Sequence, residues 1–357
     1  EQDTSRGALV IGPTRTAADE LVRIVAMSGE AVFGWHRLTL IQVARSIASW
    51  ASQETAASVG HLGQKAILSR AVDSLKASNK LGRFERVAEF PGFVQAARDA
   101  IEEAGMQGVS DEAMAAETPD FAALSVEYRS QLREAGMVDR VDVITSAHTS
   151  LSVDTFAHLL TGLPTILLDV PVGSDAEQSL VGALVARSTA TIATVQEGDD
   201  RSVSALESAL GVQADRQSPG GSPGTLSAMR YRLFDNASTV DGYGSDESEG
   251  LDVFSEAGEH LECVEIGRRI HRLARAGVPF DRIGILVHSP ELYRPQLEDA
   301  LGRSGIPAYF AHGVTRPDPS GRAFISLLLC AAEGLSARRF AEYLSLGQVP
   351  EATGEGE

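Results

Sequence analysis

Two cysteines in 357 residues, Cys263 and Cys330, are too few for a disulfide framework. The expectation is a reducing compartment, the cytoplasm. No apolar run approaches the roughly 20 residues that a membrane span needs, so no membrane partner is expected. The opening "EQDTSRG" is polar and lacks the apolar segment of a signal peptide. Positive charge is scarce: 31 basic against 49 acidic residues give a formal net charge of −18. That disfavours a broad basic face for nucleic acid but leaves room for a local groove. The eight His include no i, i+4 pair that would suit a metal on one helix face, and no Ser–His–Asp signature stands out. What remains is a chain 43% hydrophobic and long enough for two or three domains.

The order of elements predicts an α/β fold. "ALVIG" reads as a strand, followed by a helix carrying Leu21, Ile24 and Val25 on one side and stopped by Gly29. "AVFGW" reads as a second short strand, and Thr39 as the cap of "LIQVARSIASW". Residues 51–150 are Ala-rich and helical in pattern, an all-helical insertion. Strand signals return in "PTILLDV" and "TATIATV", continuous apolar runs of the kind covered on both faces. Between them Ser174 and Glu177 form a capping-box pattern. A first parallel-sheet domain is therefore expected from 1–50 plus 151–212. The turn-rich stretch 213–250 reads as a linker or mobile loop, with "LSAMRYRLF" a short helix inside it. A second α/β domain is expected over 251–350, with strands "LDVFS", "IGILV" and "IPAYFA". Residues 351–357 read as the start of a further linker. The chain is expected to continue beyond residue 357, and its natural start to lie upstream of Glu1.

The turn "GPTRT" stands where a nucleotide-binding fold holds phosphate. Such a loop needs free backbone N–H groups, a Lys for the outer phosphates and a hydroxyl for the metal. Gly12 is in place, but Pro13 has no N–H and no Lys occurs between Gly12 and Met27. Arg15 is the one cation of the turn, and its wide guanidinium does not replace a Lys like for like. Thr14 and Thr16 can supply a hydroxyl; either can equally cap the helix. Asp169 stands at the end of "ILLD", where a hydrolase would hold its metal, or where a strand end takes a turn residue. The next residue, Val170, lacks the second acid that hydrolysis requires. "EGDDRS" places Asp199 and Arg201 after the following strand.

This order of strand–loop, strand–Asp and strand–Gly-Asp resembles the core of superfamily-one DNA helicases of the UvrD/RecB kind. Tyr128, Leu132, Asp139 and Asp142 match the family's segment before its second strand. Asp169 matches its strand-end acid, with Val170 in place of the catalytic Glu. Gly198, Asp199 and Ser202 match a third stretch, with Arg201 in place of the Gln that senses the γ-phosphate. Residues from Glu262 to Gly313 are similar to the start of the second RecA-like domain. With Lys, Glu and Gln all absent, the pattern resembles the AddB type of subunit of an ATP-dependent helicase–nuclease. The resemblance implies P-loop NTPase-like (RecA-like) parallel sheets in two domains, a degenerate ATP site at Gly12, Thr14, Arg15, Thr16, Asp169, Asp199 and Arg201, and no catalytic residue in this segment. It implies a heterodimer with an AddA-like helicase subunit, acting on single- or double-stranded DNA ends. It also implies a PD-(D/E)XK nuclease part beyond residue 357, with Mg2+ and a 4Fe-4S cluster there. Cys263 and Cys330, on helical stripes, read as core residues. The pairs Arg268–Arg269 and Arg338–Arg339 read as ordinary surface charge or as DNA contacts.

Overall fold

The computed structural model of the protein describes residues 7–29, 33–52, 57–90, 92–215, 251–310 and 319–346. The chain divides into two compact units, Glu1–Glu249 and Gly250–Glu357.

The first unit is built on a parallel sheet. Strand β1 (Leu9–Gly12) runs between β2 (His36–Thr39) and β5 (Thr165–Leu168), and β6 (Thr191–Thr194) lies outside β5. The two-residue strands β3 (Ala57–Ser58) and β4 (Met137–Val138) pair separately, also in parallel. Parallel pairing follows from the helix that crosses back after each strand. Helix α1 (Arg15–Met27) follows β1, and α2 (Leu40–Ser52) follows β2. Successive side chains of β1 point to opposite faces. Val10 meets Ala18 and Val22 of α1 in a small cluster. Leu9 and Ile11 enter the main core with Val43 and Ile47 of α2, Leu167 of β5 and Leu180 of α8 (Asp175–Ala186). Several of these are fully buried, and each such side chain contributes about 2 kcal/mol.

Of the expected second strand, "AVFGW", Ala31 and Val32 lie outside the described residues, and Phe33, Gly34 and Trp35 are not in the ladder. Phe33 is exposed, Gly34 takes φ +79°, and pairing begins only at His36. A positive φ takes the backbone out of the extended conformation, so the ladder starts after it. The strand at "TATIATV" is not covered on both faces. It is the outer member of the sheet, and Ile192 is 62% exposed. Helix α1 sits over Val10 and Ile166, which leaves that side of β6 bare among the described residues.

Residues after α2 form a helical layer with its own core. Helices α3 (His61–Ala77), α4 (Phe93–Met106) and α6 (Pro119–Glu134) bury Leu68, Ile101, Leu124 and Leu132 together. The short α5 (Asp111–Glu117) packs on α6. Helix α7 (Arg140–Leu151) lies inside 51–150 but belongs to the main core, through Val143, Ile144, Ala147 and Leu151. Its start is fixed by a capping box. Asp139 accepts the Asp142 N–H, the Asp142 carboxylate accepts the Asp139 N–H, and the buried Tyr128 hydroxyl donates to Asp139 at 3.3 Å. Tyr128, Asp139 and Asp142 therefore have structural work. The capping box expected at α8 is present in modified form: Ser174 accepts the Glu177 N–H, and the Glu177 carboxylate accepts from Ser174 Oγ and the Gly173 N–H. Helix α9 (Asp200–Leu210) closes the unit's described part. The stretch 216–250, including "LSAMRYRLF", lies outside the described residues, as do 351–357.

The second unit contains α10 (Glu259–Arg275), α11 (Pro290–Arg303), α12 (Pro319–Ala332) and α13 (Ala337–Ser345). The three strands expected at "LDVFS", "IGILV" and "IPAYFA" are not formed among the described residues. These segments lie on α10 and α11 through Ile283, Val287, Ile306 and Phe310 but exchange no ladder hydrogen bonds. Their apolar alternation is real. Without neighbouring backbones in register it gives packing but no sheet.

Candidate functional site

In a parallel sheet the ends of the strands meet at one rim, where open α/β folds bind ligands. Gly12, Asp169 and the segment after Thr194 all reach that rim, because Ile11 pairs with Leu167 and Leu168 with Thr194. The structure thus brings the three sequence stretches to one side of the sheet.

At the first of them, only Pro13 and Thr14 separate β1 from α1. A Cβ on Gly12 would lie 3.0 Å from the Thr14 carbonyl and 3.2 Å from the Ala18 nitrogen, so glycine allows this close turn. Thr14 is the cap: its Oγ1 accepts the Ala17 N–H at 3.1 Å, and its carbonyl accepts from Ala18. Thr16 lies inside the helix and is exposed. The turn is thus short, and a first-turn N–H that would face a phosphate is held by the chain itself. Arg15 is exposed and lies 3.9 Å from Asp19, whose other oxygen is 3.4 Å from Arg37.

At the second, Asp169 has φ +47°, the left-handed region that few residues besides glycine adopt. Its N–H donates to the Thr194 carbonyl and hydroxyl, and that hydroxyl donates back to the Asp169 carboxylate at 2.8 Å. Val170 is 2% exposed and sits in the main core with Val172. The side chain after Asp169 therefore points inward, away from the rim.

At the third, Gly198 takes φ +95° and Asp199 caps α9, accepting the Ser202 N–H at 3.0 Å. Ser202 is buried, and its hydroxyl accepts the Val172 N–H at 2.9 Å. This bond ties the β5 loop to α9. Arg201 is exposed and donates to Gln107 at the end of α4 at 3.3 Å. Thr194, the closest partner of Asp169, was not visible from sequence, since nothing in "TIAT" marks one threonine over another.

A half-exposed bridge behind the rim was missed as well. Arg140, at the start of α7, donates to Glu177 at 2.6 Å and lies 3.6 Å from Glu102 of α4. It joins the helical layer to the sheet's own helices.

Elsewhere, Arg269 is engaged by Glu265 and Asp252 and lies over the Phe254 ring. Arg268 pairs with Glu265, and Arg339 with Glu333 and Glu342. Cys263 and Cys330 are buried on separate helices, their thiols directed at the Tyr293 and Ser336 carbonyls. Burial pushes the Cys263 thiol up, which makes it a poorer thiolate ligand. Among the described residues no three His, Cys, Asp or Glu side chains converge as a metal would require. No described helix is long and apolar enough to cross a membrane.

No protein-family model and no curated protein matches the chain. Fold and site define an α/β chain on a four-stranded parallel sheet. The chemistry-bearing residues at the C-terminal rim of its strands serve as caps and ties.

Proposed function

We propose that the chain is a helicase-like scaffold without ATP hydrolysis, part of an AddB-type subunit of a DNA helicase–nuclease. In this reading its two units are RecA-like domains with an inserted helical subdomain, in a cytoplasmic protein. It guides DNA ends or docks an AddA-like motor subunit during double-strand-break processing and recombinational repair. One observation carries the reading. At the rim where phosphate would sit, Thr14 and Asp199 cap helices, no Lys lies between Gly12 and Met27, and the residue after Asp169 is the buried Val170 in place of an acid. Hydrolysis needs a cation on the outer phosphates and an acid that orients water. The nuclease, with its Mg2+ and 4Fe-4S cluster, would belong to a part of the protein other than these residues.

The test is ATPase activity of the purified chain with and without DNA ends. No turnover above a blank is expected, and Arg15→Ala leaves nucleotide affinity unchanged. DNA-stimulated hydrolysis would overturn the reading. A second reading, a nucleotide-binding enzyme, is favoured by Asp169, half-buried at the rim in a strained conformation of the kind that gathers at functional sites. Micromolar binding of a fluorescent nucleotide that needs Mg2+ and is abolished in Asp169→Asn would select it.

A further inference from the structure

At the other end of β5 from the rim, the first unit buries a histidine. His158 lies in the connection 152–164, which carries the chain from α7 to β5, and it is 8% exposed. Its Nδ1 accepts the Leu160 N–H at 3.2 Å. A ring nitrogen that accepts carries no proton, so the neutral ring holds its proton on Nε2. Nε2 lies 3.3 Å from Ser46 Oγ of α2 and donates to it. The ring therefore has no free acceptor for the Ser46 proton, and the pair is not a nucleophile with its base. The same ring stacks on Phe156 and meets Trp50 edgewise, with centroids 6.4 Å and 5.9 Å away. The backbone closes a turn at this point. The His158 N–H donates to Thr161 Oγ1 at 3.2 Å, and the His158 carbonyl accepts the Thr161 N–H at 2.9 Å.

The rest of the connection is held by a different kind of group. The Arg187 guanidinium, at the end of α8, donates to the Leu151, Val153 and Asp154 carbonyls, and the Arg187 carbonyl accepts the Gly162 N–H. An arginine keeps its charge whatever the pH. The charged or titratable side chains on the elements around His158 are His36 and Arg37 of β2, Arg45 of α2, His148 of α7, Asp154 of the connection and Arg187. Among the described residues none of them is hydrogen-bonded to the His158 ring, whose partners are Ser46 and Leu160. Of these groups His36 acts on the ring, and it repels the charged form.

We infer that His158 is a proton-operated latch: a proton on Nδ1 sets an N–H against the Leu160 N–H, drives the ring away from Phe156 and Trp50, and opens residues 156–161 while Arg187 keeps 151–154 in place. A buried imidazolium without an acceptor for its new N–H is costly, and the open turn gives it water. Opening stays local because the bonds of Arg187, and the Leu9 N–H on the Pro164 carbonyl at 2.9 Å, do not depend on the proton. The latch is shut above the ordinary histidine value of about 6.5 and opens as the pH falls below it.

The full chain tests this without and with substitution. In imidazole nitrogen NMR at pH 8, His158 is expected as the Nε2–H tautomer; an Nδ1–H tautomer would overturn the inference. From pH 8 to 5, amide exchange at 156–161, corrected for its intrinsic pH dependence, is expected to rise roughly tenfold, while 165–168 stays protected. With Trp35→Phe, the emission of Trp50 follows the same midpoint. His158→Gln takes no charge and removes the rise. Should that variant not fold, His36→Gln takes away the repelling neighbour and is expected to move the midpoint to higher pH. Protection of 156–161 that persists at pH 5, or a rise that survives His158→Gln, counts against the latch. An equal rise at 165–168 would make the event unfolding of the sheet, and would also overturn it.

Discussion

The Thr194 hydroxyl lies between the N–H and the carboxylate of Asp169, accepting from one and donating to the other at 2.8 Å. The loop after β5 is held to β6 by this pair. Thr194→Val removes the hydroxyl and keeps the shape. We expect a loss of about 1 kcal/mol, read as a shift of the urea midpoint.

Asp169 also carries a left-handed backbone, which a short polar side chain tolerates. Asp169→Val is expected to cost about 2 kcal/mol, and Asp169→Gly less than that. Equal costs in thermal unfolding would show that the conformation is not a constraint.

Placing an acid after Asp169 is not expected to confer hydrolysis. Val170→Glu would place a carboxylate among Leu167, Val172 and Leu180. The expected loss is about 3 kcal/mol or more, with no ATPase activity gained. A stable variant that hydrolyses ATP would show that the β5 loop can turn this position to the rim.

Arg140 joins the helical layer to α8. Arg140→Ala leaves the buried Glu177 with only its Gly173 and Ser174 partners. Water screens the half-exposed Arg140, so we expect a loss of about 1 kcal/mol, largely recovered in the double variant with Glu177→Gln. An undiminished loss in the double variant would place the cost elsewhere.

His158 gives the first unit a pH dependence. Its Nδ1 accepts the Leu160 N–H, and its Nε2 lies 3.3 Å from Ser46 Oγ. Burial, and then the neighbouring His36, hold its pKa below the usual value. Below about pH 6.5 the unfolded chain therefore binds the proton that the folded chain resists. Stability from this group is present above that pH and falls as the pH drops toward the folded value. Denaturant titrations from pH 8 to 5 should show the decline, and His158→Gln should flatten it.

Local chemistry was legible in the sequence. "GPTRT" announced a strand, a turn and a capped helix, and Thr14 is that cap. The Ser174–Glu177 pair announced the start of α8, and apolar spacing placed α2, α8 and α10. Such signals act within one or two turns of chain, so one sequence carries them whole. Tertiary structure decided what depends on neighbours distant in the chain. It made β6 an outer strand, although "TATIATV" is as apolar as a central one, because coverage belongs to the helices above a strand. It left three strand-like segments of the second unit unpaired, since alternation chooses a face but a ladder needs another backbone in register. It turned Val170 into the core and set Thr194 against Asp169, because register between β5 and β6 is fixed by the whole sheet and not by either strand.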